Sequence, residues 1–400
     1  MSAFYSEGMG YSENCLPKAL AALGHEVCIL TSVWNVYGTQ SDYQANYLSF
    51  LGPADQGEQE FLVDGYKVIR LPSQTIAGYV RLSGLYGALR RLRPAVVHCT
   101  EVASIPNFNL ALLKPFLGYK LFTETHQHLS VVRPYLLAKH GNLLRKLAYR
   151  LTRTLPTWLA SLAVEKCFAI APDCLEVANR FFGVPRRKLS LQSLGTDTEM
   201  FSPARTPDDL ANRRSMRAAL GCADTDVICI YTGRFSQDKN PLLLSQAVEK
   251  LCGAGKTFRA LFIGDGAQRG AIGQSGHSVI LPFMRHRELA MHYKAADIAV
   301  WPRQESMSML DAAAACLPLV VSDQIGERGR IEGNGLYYRE NSVDSLAETL
   351  AKLEDPGIRA VLGQSGRNKM VAHFSWESIA TGFCDAYGSA LQGSVNQRGS

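Results

Sequence analysis

Three short stretches of this chain carry side chains suited to holding an anion and working on what is attached to it. The first is residues 231–240, YTGRFSQDKN. The apolar run Val227–Tyr231 reads as a buried strand, Gly233 lets the chain turn sharply behind it, and Arg234 and Lys239 then project at the carboxyl edge of a sheet. A guanidinium can grip a diphosphate bidentately, and an ammonium adds a point charge. A solvated loop with two surface cations has the same pattern. The second stretch is residues 301–321, WPRQESMSMLDAAAACLPLVV. A strand ends at Pro302, a loop carries Glu305, and a small-residue helix runs through Asp311 to Cys316. Its alanines let it press on the sheet, and the N–H groups around Ser306–Met309, Ser308 among them, offer a phosphate seat. Asp311, one turn in, could accept from ribose hydroxyls at roughly 1.5–3 kcal/mol per charge-assisted bond. Equally, it could be an ordinary early carboxylate complementing the helix dipole. The third stretch, residues 122–128 (FTETHQH), places His126 and His128 just past a strand end. A lone histidine is usually structural, but loops at strand ends are where ligand-handling residues concentrate.

The elements that must position these residues alternate. In the first half, a helical pattern through Leu16, Leu20 and Leu23 stops at Gly24, and strands are expected at Val27–Leu30, Ala95–Cys99, Tyr119–Thr123 and Cys167–Ala171. In the second half the rhythm is clearer. Strands are expected at Val227–Tyr231, Ala260–Ile263, Val279–Leu281, Ile298–Trp301 and Leu319–Ser322. Helices are expected from an Asn240 N-cap with Pro241 in the first turn, at Glu288–Ala296, and near Ser308–Cys316. Strands separated by helices imply parallel sheets. The joint is expected near Gly195–Pro203, before a polar helix at Asp208–Leu220. The fold class is therefore α/β, with two Rossmann-like doubly wound domains facing a cleft, the place where open α/β sheets take ligands. That architecture alone says nothing about the reaction.

Bulk properties narrow the field. The chain has 400 residues, 46% hydrophobic and 20% charged, ordinary for a globular enzyme with two or three cores. Its ten cysteines are scattered singly with no C-x-x-C spacing, which reads as reduced thiols, not a disulfide framework or a zinc site. No stretch is apolar for the eighteen or so residues of a membrane span, and Met1–Gly10 lacks the features of a signal peptide. A cytoplasmic location follows as the expectation. The net charge of +6 belongs mostly to the first half, where residues 1–200 carry 20 Lys/Arg against 15 Asp/Glu.

The stretches 231–240 and 301–321, in this order, resemble the donor-binding half of family 4 glycosyltransferases of the GT-B fold. Further pieces match in order along nearly the whole chain. They are residues 24–27 (GHEV), residues 193–197 (SLGTD) followed by Phe201 and Pro203, residues 262–266 (FIGDG), residues 295–297 (AAD) and residues 374–376 (FSW). The resemblance implies an acceptor-binding domain over 1–198, a nucleotide-sugar-binding domain over 199–375, and a C-terminal helix over 376–400 that crosses back to the first. It implies that Arg234 and Lys239 hold the diphosphate, Ser308 and Asp311 bind the rest of the donor nucleotide, and Glu305 approaches the transferred sugar. It implies that Gly10 lets the first helix come near the donor, and that His126, with His128 as competitor, orients sugar or acceptor. The chain departs from the family in three ways. Five residues, not seven, separate its paired carboxylates, the second of which is Asp; Cys316 stands at the usual glycine; and the first strand is very short.

The reaction so implied moves a glycosyl group from a nucleoside diphosphate to an acceptor hydroxyl with retention at the anomeric carbon. Its main task is to stabilise charge growing on the leaving diphosphate. No metal or other cofactor is expected, and the two cations would take a metal's place at the diphosphate. Between Glu124 and Glu165 there is no acidic residue, while Arg133, Lys139, Arg145, Lys146, Arg150 and Arg153 interleave with leucines. This could dock on anionic lipid, at about 1 kcal/mol per nearby cation, which would suit a peripheral enzyme on the inner membrane face and a glycan or lipid-linked acceptor. It could as well be a helix pair with solvated cations outside. Nucleic acid is a poorer partner. Two rivals stand: an epimerase of nucleotide sugars on the same fold, and a non-catalytic sugar-nucleotide-binding protein. A nicotinamide dehydrogenase is disfavoured because no G-x-G-x-x-G opens a helix after a strand.

Overall fold

The computed structural model describes residues 1–76, 79–129, 132, 147–326 and 328–396. The chain divides into two compact units. The first comprises Met1–Glu7, Tyr11–Leu194 and Ile379–Ser400, and the second Gly8–Gly10 and Gly195–Ser378.

In the first unit, the strands are β1 (Cys28–Ser32), β2 (Gln59–Val63), β3 (Tyr66–Leu71), β4 (Ser73–Ile76), β5 (Tyr79–Leu82), β6 (Val96–Cys99), β7 (Lys120–Thr125), β8 (Lys166–Ala169) and β9 (Leu189–Leu191). They form a three-stranded sheet ordered β1-β3-β2, a hairpin β4-β5, and a four-stranded parallel sheet ordered β6-β7-β8-β9. The helices used below are α1 (Ser12–Ala22), α2 (Leu85–Leu92), α3 (Ile105–Leu117) and α4 (Pro172–Arg180). The antiparallel pairs β2–β3 and β4–β5 lie outside the simple strand–helix alternation expected for this half. The reason is local: Asp64 and Gly65, both at positive φ, close a two-residue hairpin between β2 and β3.

In the second unit, the strands are β10 (Val227–Thr232), β11 (Phe258–Ile263), β12 (Ser278–Leu281), β13 (Ile298–Trp301), β14 (Leu319–Ser322) and β15 (Gly335–Tyr338). All pair in parallel, in the order β12-β11-β10-β13-β14-β15. Every residue of β10, β13 and β14 is buried, as expected of strands covered by helices on both faces. The covering helices include α5 (Pro207–Ala219), α6 (Leu242–Gly253), α7 (Leu289–Ala295), α8 (Ser308–Ala314) and α9 (Pro356–Lys369); the last helix, α10 (Trp376–Asn396), belongs from Ile379 on to the first unit. This strand order places the reversal of winding between β10 and β13, and the crevice beyond their carboxyl ends is where such a sheet takes its ligand.

Two local expectations change. Asn240 does not cap a helix: it adopts φ 50° and accepts from the Gln268 amide through its side chain, and α6 begins at Leu242. Cys316, at the position where the resemblance expects glycine, sits at φ 64°. A non-glycine residue there costs about 1–2 kcal/mol. A Cβ on Gly363 of α9 would lie 2.0 Å from the Cys316 carbonyl, so the turn is also pressed from outside. Cys316→Gly is expected to raise the melting midpoint by about 2 °C once glycine's greater freedom in the unfolded chain is subtracted. Differential scanning calorimetry checks this.

Candidate functional site

The crevice beyond β10 and β13 is built by two loops held together. Gly233 follows β10 at φ 144°, and Arg234 comes next with its guanidinium exposed. The Tyr231 hydroxyl donates to the Arg234 carbonyl at 2.8 Å, which fixes the turn from inside the sheet. Lys239 reaches across to the other loop, its ammonium donating to the Glu305 carbonyl at 2.7 Å, and Arg303 donates to the Gln237 carbonyl at 3.3 Å. Burial lowers the Lys239 pKa, and the neighbouring Arg234 cation lowers it further. The loop after β11 packs beneath. A Cβ on Gly264, at φ 148°, would stand 2.0 Å from the Gly233 carbonyl, so glycine there is a condition of the two loops meeting.

Glu305 lies on the β13 loop with one carboxylate oxygen 3.9 Å from Arg330. Behind it, the backbone around α8 is largely spoken for. The Met309 N–H donates to the Ser306 carbonyl at 3.1 Å and the Leu310 N–H to the Met307 carbonyl at 2.9 Å, while the Ser306 N–H faces the Met309 sulfur. The phosphate seat expected around Ser306–Met309 is thereby reduced to the N–H groups of Met307 and Ser308.

Asp311 is buried and engaged through both oxygens. Thr196 donates to one at 2.7 Å and the His286 imidazole to the other at 2.8 Å. Burial opposes a charge on His286, but the adjacent Asp311 carboxylate outweighs it and raises the imidazole's pKa. The His286 ring lies 4.7 Å from that of Phe201, and a Cβ added to Gly10 would stand 2.5 Å from it. Gly10 therefore meets His286, a residue for which the sequence offered no signal: it is a single histidine in a loop after β12.

In the first unit, His126 and His128 part ways. His126 donates to Glu124 at 2.8 Å, and the other oxygen of that buried carboxylate lies 3.0 Å from His98, which in turn bonds the Tyr387 hydroxyl. Burial works against a charged His126, yet the Glu124 bond and charge raise its pKa to about 9. Glu124, although burial pushes the other way, is held well below the usual carboxylate range by the two imidazoles. His128 faces Asp173 at 3.1 Å and the Cys174 sulfur at 3.6 Å instead, at the start of α4. The His126 linkage has a definite sign. With the folded pKa above the ordinary 6.5, the pair's stabilisation is fully present below about pH 6.5 and is lost as pH rises through about 9. Melting temperatures between pH 6 and 10 should fall across that window, and Glu124→Gln should flatten the fall.

Of the basic stretch, Arg133, Lys139, Arg145 and Lys146 lie outside the described residues; Arg150 and Arg153 fall in a π-helical turn, Arg150–Thr154, where Arg153 stacks over Tyr79 at 4.5 Å. Among the described residues, no helix is long and apolar enough to cross a membrane. None of the ten cysteines forms a disulfide.

Comparison with known proteins bears on the family and the fold. Residues 16–200 match the model described as Glycosyltransferase Family 4, and residues 226–355 the model described as Glycosyl transferases group 1. A D-inositol 3-phosphate glycosyltransferase of Xylanimonas cellulosilytica is 27% identical over 230 residues, covering 53% of this chain and 54% of that protein. A GDP-mannose-dependent monoacylated alpha-(1-6)-phosphatidylinositol monomannoside mannosyltransferase of Corynebacterium glutamicum is 28% identical over 200 residues, covering 46% and 51%. The chain thus spans about half the length of the curated relatives it matches. Among solved structures, Anabaena HepE in complex with UDP superposes with a TM-score of 0.68 at 14% identity, covering 97% of this chain and 98% of that one. With two Rossmann-like units and both family models matched in order, the chain belongs to glycosyltransferase family 4, with the GT-B fold.

Proposed function

We propose that this protein is a retaining glycosyltransferase that takes a sugar from a nucleoside-diphosphate donor and passes it to a hydroxyl of a glycan or lipid-linked glycan. The observation that carries the reading is the coupling of the β10 and β13 loops at the reversal point of the second sheet. There Lys239 is anchored on the Glu305 carbonyl and the Arg234 guanidinium stands exposed beside it. The names of the relatives support a sugar-nucleotide donor and an inositol- or glycolipid-type acceptor.

In this reading Arg234 and Lys239 hold the donor diphosphate and neutralise charge as it leaves, with no divalent metal needed for that task. Glu305 and Ser308 face the sugar and the phosphate side of the donor. Asp311 acts through His286, which it orients and keeps charged beside Gly10, so its ribose contact gives way to a positioning role. His126, held protonated by Glu124, acts on the transferred sugar or the acceptor. The protein works at the cytoplasmic membrane face, on products destined for surface polysaccharide or glycolipid. Retention would be read by proton NMR on the product of a transfer reaction. An anomeric coupling matching the donor's supports the reading, and an inverted coupling sinks the retaining step.

A further inference from the structure

The loop after β7 and the first turn of α4 meet around a group of donor atoms that the proposed reaction does not use. His128 follows β7, and Asp173 and Cys174 lie in the first turn of α4. The His128 Nδ1 lies 3.1 Å from each oxygen of the Asp173 carboxylate and 3.6 Å from the Cys174 sulfur. Nitrogen, oxygen and sulfur all fall within 4.8 Å of one another, and among the described residues this is the one such group of three. The Leu129 N–H donates to Asp173 Oδ2 at 3.1 Å and so fixes the carboxylate from the loop side. Cys174 is buried beneath, while the His128 and Asp173 side chains are 45% and 42% exposed.

These separations are those between ligands of one metal ion. A tetrahedral zinc, with bonds of about 2.0–2.1 Å to nitrogen and oxygen and about 2.3 Å to sulfur, sets edges of about 3.3 Å (N···O) and about 3.6 Å (N···S). Imidazole, carboxylate and thiolate are a donor set that zinc and its neighbours in the first transition row accept. A hydrogen bond from His128 to Asp173 asks only for one oxygen near the nitrogen. It leaves unexplained the second oxygen at the same distance and the sulfur beside them. Burial, and after it the Asp173 charge, raise the Cys174 pKa, so the bare cluster keeps its thiol proton. A cation at the centre reverses that balance, because it favours thiolate and carboxylate together.

We infer that His128, Asp173 and Cys174 form a binding site for a divalent transition-metal ion of the zinc class, with three protein ligands and a fourth position open on the exposed side. Binding ties the β7 loop to α4 through the metal, with the thiol proton leaving to solvent and Leu129 orienting the carboxylate from behind. The ligands come from two elements 45 positions apart, so no short cysteine spacing announces them. All three belong to the first unit, whereas Arg234 and Lys239 belong to the second. The inference therefore does not depend on the proposed diphosphate contacts.

The test strips the protein with a chelator, removes the chelator, and titrates with Co²⁺ alone while following absorption. A single cobalt per chain should bring a thiolate-to-metal band in the near ultraviolet and the visible bands of a tetrahedral ion, and Zn²⁺ should bleach both. Cys174→Ser should abolish the thiolate band. His128→Ala and Asp173→Ala should each weaken cobalt binding by about tenfold or more, since losing even an outer partner of a ligand costs about 10–100-fold. A well-folded parent without these bands, or bands and affinity unchanged in the three variants, overturns the inference. Should Cys174→Ser fail to fold, the two partly exposed ligands decide: weakened binding in both variants supports the site, and parental binding in either overturns it.

Discussion

Lys239→Ala and Arg234→Ala are each expected to lower kcat/KM for sugar transfer by about 10²–10³, the usual cost of removing one preorganised partner of developing charge. The two should differ in detail. Arg234 is exposed, so its removal leaves the melting temperature of the ligand-free protein unchanged and acts on donor handling alone. Arg234→Lys restores only part of the loss, because an ammonium cannot grip a diphosphate bidentately. Lys239→Ala also releases the Glu305 carbonyl, which loosens the joint between the β10 and β13 loops. It should therefore raise KM as well as lower kcat. Initial rates over a range of donor concentrations separate the two cases. Wild-type kcat/KM in both variants would remove these residues from the mechanism.

The second large effect is on stability. Asp311→Ala takes the counter-charge from a partly buried imidazolium and leaves the Thr196 hydroxyl without its acceptor. Breaking a buried charge pair from one side costs about 3–5 kcal/mol, which in a domain of this size lowers the melting midpoint by roughly 10 °C. Removing both partners should be far milder, so His286→Phe in the Asp311→Ala background recovers much of the loss. The sign with pH follows from the raised His286 pKa. Its contribution is fully present below about 6.5 and fades as pH rises through the folded value, so the deficit of Asp311→Ala should be largest in mild acid. Calorimetry at pH 6 and pH 9 reads both points. A variant that melts with the parent at both would show that the carboxylate carries no load.

How far the sequence foretold these residues depends on whether their signals are local. The second sheet was legible because β10, β13 and β14 are continuous apolar runs bounded by glycine and proline, and each is buried throughout. The loops that follow them could be placed from the same runs, since a strand's end fixes where its loop begins. Asn240 misled because an Asn-Pro pair fits both an N-cap and a left-handed turn, and here a long-range partner, Gln268, decided between them. The β2–β3 and β4–β5 pairs were missed because β2, β4 and β5 are short and half exposed. His286, His98 and Tyr387 left no trace at all. Each is a lone polar residue whose meaning comes from a partner 25 or more positions away: Asp311 for His286, Glu124 for His98, and His98 for Tyr387. The spacing between Glu305 and Asp311 reads differently once seen in space. The two carboxylates face different partners: one Glu305 oxygen lies 3.9 Å from Arg330, and Asp311 is turned inward onto His286 and Thr196.

The central claim is that the β10–β13 crevice holds a nucleoside diphosphate. Titration of the protein with UDP, GDP, ADP and CMP, read as thermal stabilisation, tests it most directly. One nucleoside diphosphate should stabilise the protein by about 2.7 kcal/mol at a hundred times its dissociation constant. CMP should not, and Arg234→Ala should abolish the effect. A well-folded protein that none of the four stabilises, or one stabilised equally with and without Arg234, would contradict the account.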